Sequence, residues 1–136
     1  MNVAFFLTPK IEVAWVPVDA SMRQALERME HHRYTAVPLL DDKGRYVGTL
    51  TEGDLLWMMK RTAGLTFEGT EYVRLSEVPR RMVNHPVHID AEVEQLLSLA
   101  ADQNFVPVVD SREVFIGIVR RKAILAHCAG LLAARA

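Results

Sequence analysis

An internal repeat restricts what this chain can fold into more than any single motif does. Val18-Asp19-Ala20 returns as Ile89-Asp90-Ala91, 71 residues later. Each copy then opens an amphipathic helix with apolar residues at i, i+3, i+4 and i+7. These are Met22, Ala25, Leu26 and Met29 in the first copy, and Val93, Leu96, Leu97 and Ala100 in the second. A hairpin pattern follows each helix. The first is Ala36-Val37-Pro38-Leu39-Leu40, the turn Asp41-Asp42-Lys43-Gly44, then Tyr46-Val47-Gly48-Thr49-Leu50. The second is Phe105-Val106-Pro107-Val108-Val109, the turn Asp110-Ser111-Arg112-Glu113, then a strand running to Val119. Pro38 and Pro107, Asp41 and Asp110, and Gly48 and Gly117 all match at an offset of 69, so the second copy is two residues shorter between helix and strand. Further helices are predicted over about residues 53–61 and 121–134.

Each repeat therefore reads strand, helix, strand, strand, helix, which predicts α/β (α+β) layering. A unit of about 50 residues buries too little surface to stand alone, so two β-α-β-β-α repeats packed as a pseudo-two-fold pair are expected. The predicted division is 1–61 for the N-terminal segment and first repeat, 62–81 for a connector, and 82–136 for the second repeat and last helix. The connector lacks a clear period and carries Gly64, Gly69 and Pro79.

Composition narrows the class. The chain has 136 residues, 50% of them hydrophobic and 24% charged, which excludes a disordered protein. Sixteen Lys+Arg against 17 Asp+Glu leave no basic surplus for nonspecific nucleic-acid binding. The single cysteine, Cys128, can form no intramolecular disulfide and fits a reducing cytosol. Residues 123–134 are the most apolar stretch and are too short to span a bilayer. The segment Val3-Ala4-Phe5-Phe6-Leu7 is too short for a secretory signal. A soluble, cytoplasmic protein is the expectation.

The run Thr35-Ala36-Val37-Pro38-Leu39-Leu40-Asp41, followed by Gly48-Thr49-Leu50-Thr51-Glu52-Gly53-Asp54-Leu55, resembles the cystathionine-β-synthase-type (CBS) domain. Two such units in tandem resemble a Bateman module, and the resemblance covers roughly residues 8–128. It implies binding of AMP, ADP, ATP, S-adenosylmethionine or cyclic di-AMP in clefts between repeats, and pairing of chains into homodimers. Because no length remains for a catalytic or channel domain, the resemblance further implies a free-standing module acting on a separate effector protein.

Thr51 and Asp54 have two readings. Thr51 stands where a strand meets a helix, and its hydroxyl is suited to cap that helix, with Asp54 at the positive end of the dipole. By resemblance, Asp54 accepts from both ribose hydroxyls and Thr51 lies near phosphate at the helix N-terminus. Resemblance also assigns the backbone of Thr35, Ala36 and Val37, with Pro38 behind it, to the adenine slot. The segment from Thr8 through Ala14 is assigned to closing that slot. The second copy departs from the motif: Arg120 stands at the Thr51 position and Ala123 at the Asp54 position. Its ribose site is expected to be weak or absent. Arg120-Arg121-Lys122 is either a solvated basic turn or a source of phosphate contacts, for which Arg120 and Arg121 have the suitable bidentate fork. One ribose carboxylate with a cationic turn suits AMP, ADP or ATP, and cyclic di-AMP stays open. The sulfonium of S-adenosylmethionine would face like charge.

No metal or catalytic signature competes with this reading. His31 and His32 are adjacent and point about 100° apart on a helix. No C-x-x-C, H-E-x-x-H, G-x-S-x-G or phosphate-loop pattern occurs. The alternative from another class is a ligand-free dimerisation or interaction scaffold.

Overall fold

The computed structural model describes residues 1–135. It contains strands β1 (Thr8–Pro9), β2 (Val16–Pro17), β3 (Ala36–Leu40), β4 (Tyr46–Thr51), β5 (Val87–His88), β6 (Phe105–Val109) and β7 (Phe115–Arg120). The α-helices are α1 (Met22–His32), α2 (Glu52–Arg61), α3 (Val93–Ala100) and α4 (Arg121–Ala134). The expected β-α-β-β-α order holds in both repeats, and the fold is mixed α and β.

The chain divides into two compact units. One is Ala14–Val83; the other joins Met1–Val13 to the chain from Asn84 onward. In the first unit the sheet order is β2-β3-β4, and in the second it is β1-β7-β6-β5. Each has its own core. Val16, Met22, Ala25, Met29, Val37, Leu39, Leu50 and Leu55 are buried together in the first. Val3, Phe6, Val87, Leu96, Val106, Val108, Val119 and Ile124 are buried together in the second.

Local chemistry explains the elements. Ser21 and Gln24 form a capping box at the start of α1: the Gln24 N–H donates to Ser21 Oγ at 3.1 Å, and the Ser21 N–H donates to Gln24 Oε1 at 2.8 Å. At the other end Arg33 adopts the left-handed conformation, φ 58°, that closes many helices. The two hairpins turn alike. Asp41 Oδ1 accepts from the N–H groups of Lys43 and Arg45, and Asp110 Oδ1 from those of Arg112 and Val114. Both hairpins also shift register at matched places, between Leu39 and Leu40 and between Val108 and Val109.

Three expectations need correction. The N-terminal segment does not join the first repeat: β1 pairs antiparallel with β7, with Thr8 opposite Ile118 and Pro9 opposite Gly117. The stretch 62–81, expected as a connector, is packed as part of the first unit. It buries Thr70, Leu75 and Val78, and its backbone bonds to both sides of the α1 cap, Met22 N–H to Val73 O and Leu75 N–H to Ala20 O. Finally, Leu97, expected on the buried face of α3, is 43% exposed. Its counterpart Leu26 is half-buried against the first core.

Candidate functional site in the first repeat

The junction of β4 and α2 is built by the residues the motif singled out. Thr51 is the N-cap of α2, in extended conformation, and its Oγ1 accepts from the Asp54 N–H at 3.1 Å. Asp54 reaches back, its Oδ2 accepting from the Thr51 N–H at 2.9 Å. The capping reading is thus realised in full. Asp54 is only 2% exposed. Its second oxygen, Oδ1, accepts at 3.1 Å from the backbone N–H of Arg81. A buried carboxylate receiving backbone N–H bonds on both oxygens is well satisfied as an anion.

The neighbouring strand brings the other motif residues to this place. β3 and β4 pair with Ala36 opposite Thr51, Val37 opposite Leu50 and Pro38 opposite Thr49. The Glu52 N–H donates to the Thr35 carbonyl at 2.9 Å, tying the start of α2 to the entrance of β3. Val37 and Pro38 are buried, Ala36 half-buried and Thr35 exposed. β2 pairs only with Leu39 and Leu40. Ala14, buried, begins the unit.

The cations expected at phosphate belong to the other unit, and Arg121 has a structural task there. Its Nε–H donates to the carbonyls of Ala100 at 2.8 Å and Gln103 at 3.1 Å. Positive charge is favourable at such a helix C-terminus, and this offsets its poor placement in the first turn of α4. Arg120 is the N-cap of α4, without a side-chain capping bond, and is exposed.

Four residues absent from the sequence-based site, Arg80, Arg81, Trp57 and Lys60, lie near it. The Arg80 guanidinium lies over Gly48, where a Cβ would come within 2.8 Å of its Nε. The Arg81 guanidinium sits 5.0 Å from the centre of the Trp57 ring, and Lys60 lies 5.3 Å from the same ring. A signal for this segment exists in the repeat: Pro79-Arg80-Arg81 stands 71 residues after Thr8-Pro9-Lys10. Beneath Arg80, the hydroxyls of Tyr46 and Thr49 share a 2.7 Å hydrogen bond. Burial pushes Tyr46 up to about 12, against the lowering effects of the Thr49 hydrogen bond and the Arg80 charge.

The second repeat fills the matching positions with its own groups. Gln103 accepts from the His85 N–H at 2.9 Å and donates to the His85 carbonyl at 3.1 Å and the Phe105 carbonyl at 3.3 Å. His85 stands 71 residues after Ala14, and Gln103 stands 69 after Tyr34, whose single O–H cannot donate to two carbonyls as the Gln103 amide does. Among the described residues no three His, Cys, Asp or Glu side chains gather to hold a metal ion. No helix among them is long and apolar enough to cross a membrane.

Comparison with known proteins agrees with this architecture. The chain is 27% identical over 129 residues to cyclic di-AMP receptor B of Bacillus subtilis (strain 168), covering 91% of this chain and 84% of the relative. Among solved structures it resembles CbpB of Listeria monocytogenes in complex with c-di-AMP, with 25% identity and a TM-score of 0.80 over 96% of this chain and 97% of the other. The fold also matches CBSX2 in complex with AMP, at 23% identity and a TM-score of 0.74, over 96% and 97% of the two chains. The CBS-domain profile matches twice, over residues 7–61 and 75–130. With two repeats of that description spanning most of its length, the chain belongs to the CBS-domain family.

Proposed function

We propose that this protein is a regulatory module that binds an adenine nucleotide through its first repeat and thereby alters its contact with a separate effector protein. The observation that carries the reading is the junction of Thr51 and Asp54 with Ala36–Val37, intact in the first repeat and lacking its carboxylate in the second, where Ala123 stands. In this reading Asp54 holds ribose hydroxyls, the Thr35–Val37 backbone meets the base and Thr51 faces phosphate. Arg120 remains the candidate for a further phosphate contact; Arg121 has less freedom for it. A ligand transmits a signal only through unequal affinity for two conformations.

Cyclic di-AMP is the ligand to test first, because the 27%-identical relative is a cyclic di-AMP receptor and the 25%-identical CbpB structure holds c-di-AMP. AMP, ADP and ATP form the second reading, favoured by a lone carboxylate suited to a vicinal diol. The two differ chemically: a 3′,5′-cyclic dinucleotide has each 3′ oxygen esterified and offers one hydroxyl per ribose. Thermal melting with cyclic di-AMP, AMP, ADP and ATP tests the proposal. Ligand at about 100 times its dissociation constant adds about 2.7 kcal/mol, which raises Tm by several degrees at this size. Asp54→Ala is expected to remove the shift. A panel without any shift leaves the interaction-scaffold reading in its place.

A further inference from the structure

The carboxylate assigned to ribose is not waiting open. Asp54 is 2% exposed, and the atom that covers one of its oxygens is a backbone N–H from 27 residues further along the chain. That N–H belongs to Arg81, and the two arginine side chains of the same segment also rest on the first unit. The Arg80 guanidinium rests on the bare backbone of Gly48, and the Arg81 guanidinium rests on Trp57. Both arginines, with Met82 and Val83 after them, are exposed. The core contact nearest this segment is Val78, three residues before Arg81. The matched place in the second unit is fixed quite differently, by β1 in register with β7.

We propose that Arg80 and Arg81 form a latch over Asp54, which a ribonucleotide must lift before that carboxylate can engage its ribose. Each part of the latch is weak. A cation over a partly exposed ring contributes little in water, and the single Arg81 N–H bond to Asp54 is one that a ligand hydroxyl can replace. Such a segment moves as one piece when a ligand offers hydroxyl donors in place of the Arg81 N–H. A vicinal diol seeks both carboxylate oxygens, whereas a single 2′-hydroxyl seeks one, so lifting is most demanding for AMP, ADP and ATP. The latch thereby sets affinity and discriminates between linear and cyclic nucleotides. The proposal rests on the reading of Asp54 as the ribose ligand, and the test separates the two.

Amide hydrogen exchange in the ligand-free protein comes first. The Arg81 amide is expected to exchange slowly, and at least tenfold faster in Asp54→Ala; equal rates would overturn the latch whatever the ligand. Calorimetry with AMP and cyclic di-AMP then compares the natural chain with Arg81→Ala, which removes the guanidinium from Trp57, and Gly48→Ala, which pushes Arg80 away. Both variants are expected to bind at least threefold more tightly, with the larger gain for AMP. Binding that is unchanged or weaker in both variants overturns the latch while leaving the nucleotide reading intact. Absence of binding in all three proteins overturns the nucleotide reading and with it any gating by the latch.

Discussion

Gly48 and Gly117 occupy the same position in the two repeats, yet their surroundings differ in kind. At Gly117 another strand presses in: a Cβ there would collide with the Thr8 carbonyl oxygen and come within 3.1 Å of Pro9 Cα. At Gly48 the neighbour is the guanidinium of Arg80, a flexible side chain with room to swing away. The second repeat has sealed its hairpin edge with backbone, and it has Ala123 where the first repeat has Asp54. The first repeat covers its edge with side chains and keeps a carboxylate beneath them. The two copies thus differ in what covers the hairpin edge, backbone at Gly117 and a side chain at Gly48.

The largest test of this contrast is stability. Gly117→Ala is expected to cost about 2–3 kcal/mol, because the colliding atoms are backbone and the strand must shift. Gly48→Ala is expected to cost far less, and urea unfolding of the two variants measures the difference. Equal losses would mean that the first edge is as tightly closed as the second. Next is the response to alkali. Phe115 stands where the first repeat has Tyr46, so only the first unit carries a partly buried phenol at this register. The folded pKa of Tyr46 lies above its unfolded value near 10, so folding favours the neutral phenol. That contribution is complete below pH 10 and is lost as pH rises toward about 12. Tyr46→Phe should therefore flatten the alkaline fall in stability by about 1–2 kcal/mol, read from melts between pH 9 and pH 11.5. The smallest effect lies in the turns. Gly44 has φ 77° and its counterpart Glu113 has φ 66°, a left-handed conformation that costs a residue with a Cβ about 1 kcal/mol. Glu113→Gly is expected to recover part of that, offset by loss of the 3.5 Å contact with His88. Thermal melting of the variant reads the balance.

Much of this architecture was legible in the sequence because it is written in local chemistry. The aspartates at 41 and 110 set both turns, Ser21-x-x-Gln24 and Thr51-x-x-Asp54 cap two helices, and the offset of the repeat orders the strands. The Thr51–Asp54 cap and its meeting with Ala36 followed from hairpin register. What escaped was nonlocal. A two-residue strand such as β1 carries no alternation, so its pairing with β7 leaves no periodic trace. Arg121 reads as one of three surface cations until the carbonyls of Ala100 and Gln103 are seen facing it. Pro79-Arg80-Arg81 falls at the end of the expected connector, and a run of charges does not say which carboxylate or ring its backbone and side chains will meet.

The partnership of β1 with β7 also bears on the order in which the chain acquires structure during synthesis. The unit Ala14–Val83 is contiguous and can close as soon as its last residue has emerged. The other unit needs Thr8 and Pro9 to find Gly117 and Ile118 across that whole intervening stretch. Its first strand is made before the whole of the intervening unit and must wait for a partner strand made after it. Loop closure over such a distance carries an entropy cost that grows only slowly with length, and a compact intervening unit shortens the effective search. The first repeat is therefore set to mature first, and the second to complete itself when β1 meets β7.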